Sequence, residues 1–289
     1  MVPRVQGKAY DLEPYLPERL VDEGFKWQTL ARLLAGKLAR KVTRGRVAPR
    51  WPQSVVAYYG QIAVFDKPDH HVGGLAFGRD FPRVLNELGI GRRGRVFEFC
   101  AGPGYIGYSL LAAGWCESLV LSDVDPDTVS AARFTAAHNQ LEDRVVAYCS
   151  DALDQIPAAE RWDLVVGNPP HFSGANPDAR TYDPSWDLHR RFYAAVGRHM
   201  NPGGLVLIVE QTRGSEPELF EEMIRAGGGE PRAVHPGTDI HGEPNGLYYQ
   251  LSEWPGVSAS TPSGGRIGSR RPTASAGSPA TRGDHHPAF

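Results

Sequence analysis

No window of this 289-residue chain has the unbroken apolar length that a helix needs to cross a bilayer, and residues 1–15 lack the apolar run of a signal peptide. Both absences exclude a membrane partner from the reading and set the expectation of a soluble, cytoplasmic protein. Cysteine is equally scarce. Cys100, Cys116 and Cys149 are an odd number at spacings that fit neither a disulfide framework nor a zinc site, and they are read as core thiols in a reducing compartment. Charge of one sign is missing too: 31 Lys and Arg against 33 Asp and Glu leave a formal charge of −2, which gives no global attraction to a polyanion. Nucleic acid is therefore a possible partner but not the favoured one. The adjacent His70 and His71 bring no acidic or further histidine ligand at a suitable spacing, so no metal is expected. What the chain does have is 41% apolar and 10% aromatic residues, enough for a sizeable core.

Apolar positions at helical spacing over residues 17–42 predict one or two amphipathic helices. They end in a run of cations, Lys37, Arg40, Lys41, Arg44, Arg46 and Arg50, readable as a solvated helix end or a phosphate-binding stripe. Residues 54–65 are apolar and aromatic and fit either strand or helix. A loop over 70–78, with Gly73-Gly74 as a candidate lid over the site, precedes a helix over 79–88 that stops at Gly89. From Arg95 on, short β-rich runs (96–99, 118–122, 145–149, 164–167 and 205–209) alternate with helical ones (106–113, 128–139 and 188–199). Strands apolar on both faces that alternate with helices predict a doubly wound, mostly parallel sheet. Runs at 232–235 and 246–252 add an antiparallel edge pair, for seven strands in all. The expected organisation is a helical N-terminal extension with a substrate or lid segment over 1–90, an α/β domain over 91–254 and a disordered tail over 255–289, where Pro, Gly, Ser, Thr and Arg prevail.

Ligands of open α/β sheets bind at the carboxyl ends of the strands. The first such end reads Glu98-Phe99-Cys100-Ala101-Gly102-Pro103-Gly104-Tyr105, in which Gly102 and Gly104 let backbone approach a ligand ahead of a helix N-terminus. Cys100 stands where a dinucleotide fingerprint has its first glycine, and Glu98 suits the sulfonium and ammonium of S-adenosylmethionine better than a pyrophosphate. Asp123, with Val124 beside it, ends the second strand where a carboxylate accepts ribose hydroxyls; Asp125 is the alternative. Asp151 and Ala152 end the third, placed for an adenine amino group and ring. The fourth ends in Asn168-Pro169-Pro170-His171-Phe172. A planar NH2 is a poor nucleophile because its lone pair is delocalised. The Asn168 side-chain carbonyl and the Pro169 backbone carbonyl are acceptors that would turn that lone pair toward a methyl group, on a segment stiffened by two prolines.

These strings, in this order, resemble the class I S-adenosylmethionine-dependent methyltransferases of the Asn-Pro-Pro-aromatic type, which include release-factor glutamine N5-methyltransferases and ribosomal RNA guanine N2-methyltransferases. The resemblance covers about residues 95–251 and implies a Rossmann-like fold, S-adenosylmethionine as cofactor and N-methylation, with Asn168, Pro169 and His171 as the catalytic group. His171 departs from the aromatic residue that usually follows Pro-Pro and stacks on the substrate: either it still stacks and moves a proton, it is structural, or Phe172 takes over the stacking. Pro170, Phe172, Tyr182, Trp186 and Glu210 are the expected substrate contacts. Aromatics with carboxylates suit a cationic, amino-acid-like small molecule, arginine first. The alternatives are an RNA base or a protein glutamine, and a non-catalytic module that keeps the cofactor fold.

Overall fold

The computed structural model describes residues 54–66, 75–174, 181–239 and 241–256. The N-terminal helices, the Lys37 to Arg50 stripe, His70-His71, the Gly73-Gly74 lid and the tail beyond residue 256 lie outside the described residues.

The 54–65 stretch that fitted strand or helix is an antiparallel hairpin, β1 (Ser54–Tyr59) and β2 (Ile62–Asp66). The described part of the expected helical extension therefore begins with strands. Its buried second strand, β2, is tied by side chains from further along the chain. Asn139 donates to the Ala63 carbonyl and accepts from its N–H, both at 2.9 Å, and Thr135 Oγ1 accepts the Phe65 N–H at 3.0 Å. Helix α1 (Leu75–Glu87) starts four residues before the sequence pattern indicated. Gly78, read as loop, is a packing glycine: a Cβ there would collide with the Tyr59 ring. Phe81, Val84 and Leu85 of α1 join Ala57, Ile62 and Val64 in the core of the main domain.

That core is split by a sheet of β3 (Arg93–Phe99), β4 (Cys116–Asp123), β5 (Val145–Cys149), β6 (Trp162–Gly167), β7 (Met200–Gln211), β8 (Glu230–Thr238) and β9 (Pro244–Trp254). The order is β5-β4-β3-β6-β7-β9-β8; the first five strands are parallel and β9 runs antiparallel to both neighbours. The intervening helices are α2 (Tyr105–Ala112), α3 (Pro126–His138), α4 (Asp187–Val196) and α5 (Pro217–Ala226). Successive strand residues point to opposite faces, and both faces are covered. Val96, Leu119, Leu164 and Leu207 pack with α2 and α3, whereas Phe97, Val165, Val206 and Ile208 pack with Phe192, Phe220 and Trp254. The second face is aromatic, with Phe97 stacked on Trp162 at 4.0 Å and Phe99 on Phe192 at 4.2 Å.

The expectation of core thiols holds for Cys116 alone. Cys100 is half-buried, and Cys149, the last residue of edge strand β5, is exposed; all three are free.

Strand order reverses beside β3: the chain runs outward through β4 and β5, then returns to β6 on the other flank. In such sheets the crevice opens at the carboxyl ends of the two flanking strands. Phe99 and Gly167 are paired in register, so Cys100 and Asn168 are the first residues past the sheet on either side of that crevice.

Candidate active site at the strand switch point

On the β3 side the turn is built from left-handed backbone, with φ of 52° at Cys100, 53° at Gly102 and 91° at Gly104. The two glycines are used differently. A Cβ on Gly104 would lie 2.8 Å from Tyr108 and 2.9 Å from Leu121, whereas one on Gly102 would meet nothing within 4 Å. Gly104 thus lets α2 pack close, and Gly102 presents an open face.

Glu98 does not line that face. It is 2% exposed, and its carboxylate accepts the Gly107 N–H at 2.7 Å and the Ile106 N–H at 3.2 Å, tying β3 to the first turn of α2. Burial pushes it up to about 8 in spite of those donors. The sequence pattern sets this acid against a cationic ligand; in the fold it sits under the turn instead, because the helix's free N–H groups claim it. Gly107, which the sequence pattern did not single out, makes the arrangement possible: a Cβ there would lie 2.7 Å from Glu98 Oε2 and 2.6 Å from Leu119. A glycine in the third position of a helix was the available signal. Tyr105 likewise turns inward, donating its hydroxyl to Asp66 at the end of β2 at 3.1 Å.

At the end of β4, Asp123 accepts the Gly102 N–H at 2.7 Å with one oxygen and the Asp125 N–H at 3.0 Å with the other. It is half-buried, and burial raises it above the usual carboxylate range. Asp125 is taken up as the N-cap of α3, accepting the Asp127 N–H at 2.9 Å. Val124 projects between them, 64% exposed. After β5, Asp151 is exposed and bridged by Arg191 of α4 at 3.1 Å to both oxygens, while Ala152 is buried with φ 49°.

On the β6 side, Gly167 allows close approach, since a Cβ would lie 2.9 Å from the Phe99 carbonyl. Asn168 Oδ1 is buried and has no hydrogen-bond partner among the described residues. Pro169 is buried and Pro170 half-buried. The next two residues are pinned from both sides. A Cβ at Gly214 would collide with the His171 carbonyl. Phe172 donates to the Thr181 carbonyl at 3.0 Å and accepts the Asp183 N–H at 2.8 Å, forming a bridge with Tyr182.

Beneath this segment is a buried chain of side chains that the sequence did not reveal. Glu210, near the end of β7, meets His171 Nδ1 at 3.3 Å with one oxygen and His189 Nε2 at 2.8 Å with the other. His189 Nδ1 reaches Asp183 at 2.6 Å, and Asp183 also accepts the Leu188 and His189 N–H groups at 2.9 and 3.2 Å. Burial alone would lower His189, but the Glu210 and Asp183 charges outweigh it and raise the imidazole to about 9. Asp183, despite burial, is held low by His189 and the amides. Two expected substrate contacts are placed elsewhere by this arrangement. Glu210 is fully buried and occupied by two histidines, and Trp186 is 6% exposed, edge-on to Phe220 at 5.1 Å and His189 at 5.3 Å. An indole at the start of α4 stabilises more by filling the α4–α5 seam than by facing water.

The model of the methyltransferase small domain family matches residues 82–227. Similar curated proteins include a release factor glutamine methyltransferase of Clostridium acetobutylicum, 28% identical over 138 residues, covering 43% of this chain and 48% of that protein. A ribosomal RNA small subunit methyltransferase C of Pseudomonas aeruginosa is 29% identical over 141 residues, covering 49% of this chain and 39% of that protein. A ribosomal protein uL3 glutamine methyltransferase of Francisella tularensis is 29% identical over 128 residues, covering 40% of each. The chain thus spans half or less of the length of each of these relatives. With the family match extending over half of its length, from inside α1 to the end of α5, this chain belongs to the methyltransferase small domain family.

Proposed function

We propose that this chain is an S-adenosylmethionine-dependent N-methyltransferase whose acceptor is the side-chain amide of a glutamine in a protein. The observation that carries the reading is Asn168 Oδ1, a buried carbonyl oxygen with no partner among the described residues, at the mouth of the switch-point crevice. Leaving such an acceptor unmet costs on the order of 1–3 kcal/mol, so a donor that arrives with the substrate is the simplest explanation. One N–H of a planar NH2 is that donor, and the Pro169 carbonyl takes the other. With both N–H groups held, the nitrogen lone pair is directed out of the amide plane and the positive charge that develops on nitrogen is stabilised. Pro169 and Pro170 fix the acceptors before the substrate enters.

The residues across the crevice fit the cofactor. Each Asp123 oxygen accepts one backbone amide and keeps capacity for a ribose hydroxyl; the Gly102 face is open, and exposed Val124 offers apolar cover. Cys100, Ala101 and Gly104 complete the turn, with Asp151 and Ala152 at the adenine end. S-adenosylmethionine, when bound, supplies an electrophilic methyl group on a sulfonium. Glu98 and Tyr105 act from below, by holding the turn's shape.

Glutamine is favoured over a nucleobase because the acceptor side is anionic at its base, with Glu210 and Asp183 against one imidazolium. A neutral amide tolerates this field and a phosphodiester chain does not. Two of the named relatives are glutamine methyltransferases of proteins. The expectation of free arginine has no such support. An RNA aminopurine is the second reading, favoured by the ribosomal RNA relative.

The test is incubation of the chain and S-adenosylmethionine with bacterial ribosomes and soluble translation factors, followed by mass spectrometry of peptides and nucleosides. A methyl group on a glutamine amide, absent with Asn168→Ala, is the expected result. A methyl on a guanine would install the second reading, and failure to bind S-adenosylmethionine in calorimetry would overturn both.

A further inference from the structure

The buried chain of Asp183, His189, Glu210 and His171 is more than the fold requires. Burying two carboxylates and a histidine in the α4–α5 seam costs desolvation that apolar residues would avoid. Its side-chain links run from Asp183 through His189 and Glu210 to the ring of the residue that follows Asn168-Pro169-Pro170. We propose that Asp183, His189 and Glu210 are positioning residues that hold the His171 imidazole as proton acceptor for the nitrogen being methylated, a role that rests on the N-methyltransfer reading of the site.

Hydrogen-bond capacity sets the protonation of both rings. An ionised carboxylate only accepts, so each histidine nitrogen that meets one must carry a proton. Asp183 faces His189 Nδ1 at 2.6 Å and two backbone N–H groups, and Glu210 faces His189 Nε2 at 2.8 Å. His189 therefore donates from both nitrogens and is an imidazolium, in keeping with its raised protonation range. The second Glu210 oxygen faces His171 Nδ1 at 3.3 Å. This puts the His171 proton on Nδ1 and leaves Nε2 as the lone-pair nitrogen, the tautomer a proton acceptor needs.

Charge favours the same step. Two carboxylates and one imidazolium leave one uncompensated negative charge beside His171 while that ring is neutral. When the substrate nitrogen attacks, an N–CH3 bond forms, the S–CH3 bond breaks with its electron pair going to sulfur, and the nitrogen carries one proton too many. One of its two protons leaves its carbonyl acceptor as the nitrogen becomes tetrahedral and passes to His171 Nε2, the buried chain becomes neutral, and His171 later releases the proton to water. The titratable groups around the chain are Glu210 and Tyr248 from the sheet, Asp183 from the loop before α4, His189 and Tyr193 from α4, and Cys100 from the β3 turn. The tyrosines and Cys100 are all raised by burial, so they add no charge to the chain near neutral pH.

Nitrogen-15 NMR of the imidazoles in the full chain tests this without any variant. The expected result is His171 as the Nδ1–H tautomer when neutral, and His189 doubly protonated at pH 7. His171 as the Nε2–H tautomer, or a neutral His189 at pH 7, overturns the proposal. In Glu210→Gln the His171 tautomers should mix and His189 should lose its proton at lower pH. S-adenosylhomocysteine affinity should stay within about threefold of wild type, and kcat should fall about 100-fold or more, the usual contribution of a positioned acid or base. Unchanged kcat across the pH profile in that variant also overturns it. If the wild type fails to bind S-adenosylhomocysteine, the N-methyltransfer reading falls and the role given to the chain falls with it. If S-adenosylhomocysteine binds and the tautomer is wrong, the chain's role alone is lost.

Discussion

The two walls of the crevice are finished to different degrees. Along the β3 turn every carboxylate is engaged with backbone: Glu98 with Ile106 and Gly107, Asp123 with Gly102 and Asp125, Asp125 with Asp127. Along the β6 wall one buried acceptor, Asn168 Oδ1, has no partner among the described residues, and a titratable chain lies beneath it. A wall that is closed on itself is suited to a ligand recognised by shape and by spare lone pairs. A wall with an unmet acceptor is incomplete until a donor arrives. Binding of one ligand and reaction of another should therefore separate cleanly under mutation.

The largest expected effect lies on the incomplete wall. Asn168→Ala should lower turnover by about 10²–10³-fold, the scale for losing one group that stabilises charge in the transition state. S-adenosylhomocysteine binding by calorimetry should stay near wild type. A normal rate in that variant would remove the contrast between the walls, because the unmet acceptor would then have no role.

Both walls hold an ionisable group whose folded-state protonation range is raised, and this separates them by pH. Glu98 is raised from 4.5 to about 8 and His189 from 6.5 to about 9. For a group raised on folding, the stabilising contribution is complete below its unfolded value and is lost as pH climbs through the folded one. Stability should thus fall on the order of a few kcal/mol from mildly acidic to alkaline pH, since a tenfold gain in proton affinity on folding is worth about 1.4 kcal/mol. Denaturant melts of Glu98→Gln should lose the part between pH 4.5 and 8, and those of His189→Gln the part between pH 6.5 and 9. Identical pH profiles in both variants would mean that the walls are not independent. Next in size, Gly107→Ala forces a Cβ against Glu98 and Leu119 and should cost about 1–3 kcal/mol in the same melts.

The same contrast explains what could be read from sequence. The parallel sheet, the edge pair, the turn at Gly102 to Gly104 and the Asn168-Pro169-Pro170 segment are local patterns, each set by residues a few positions apart, and they were legible. The buried chain was not, because His171, Asp183, His189 and Glu210 come from three segments that meet only after α4 packs on the sheet. Glu210 in particular ends an apolar strand and reads as a rim carboxylate; only the histidines opposite make its burial tolerable. Trp186 was misplaced for the same reason, since an aromatic in a polar loop looks exposed until Phe220 of α5 is beside it. The hairpin at 54–66 could not be typed, because backbone groups of β2 are bonded by Thr135 and Asn139, at the end of α3 and some seventy positions further along the chain.

The smallest expected effect bears on which carboxylate of the closed wall is free to serve a ligand. Asp125 commits its side chain to the α3 N-terminus, and losing an N-cap costs about 1 kcal/mol. Asp125→Ala keeps the backbone N–H that Asp123 accepts, so S-adenosylhomocysteine affinity should hardly change while the melt shifts by that amount. Asp123→Ala removes the oxygens that organise Gly102 and, on this reading, accept the ribose hydroxyls, so binding should weaken at least tenfold, the effect of losing about 1.4 kcal/mol. If binding were lost in Asp125→Ala and kept in Asp123→Ala, the ribose would belong to the helix cap, and the β3 wall would be less closed than its hydrogen bonds indicate.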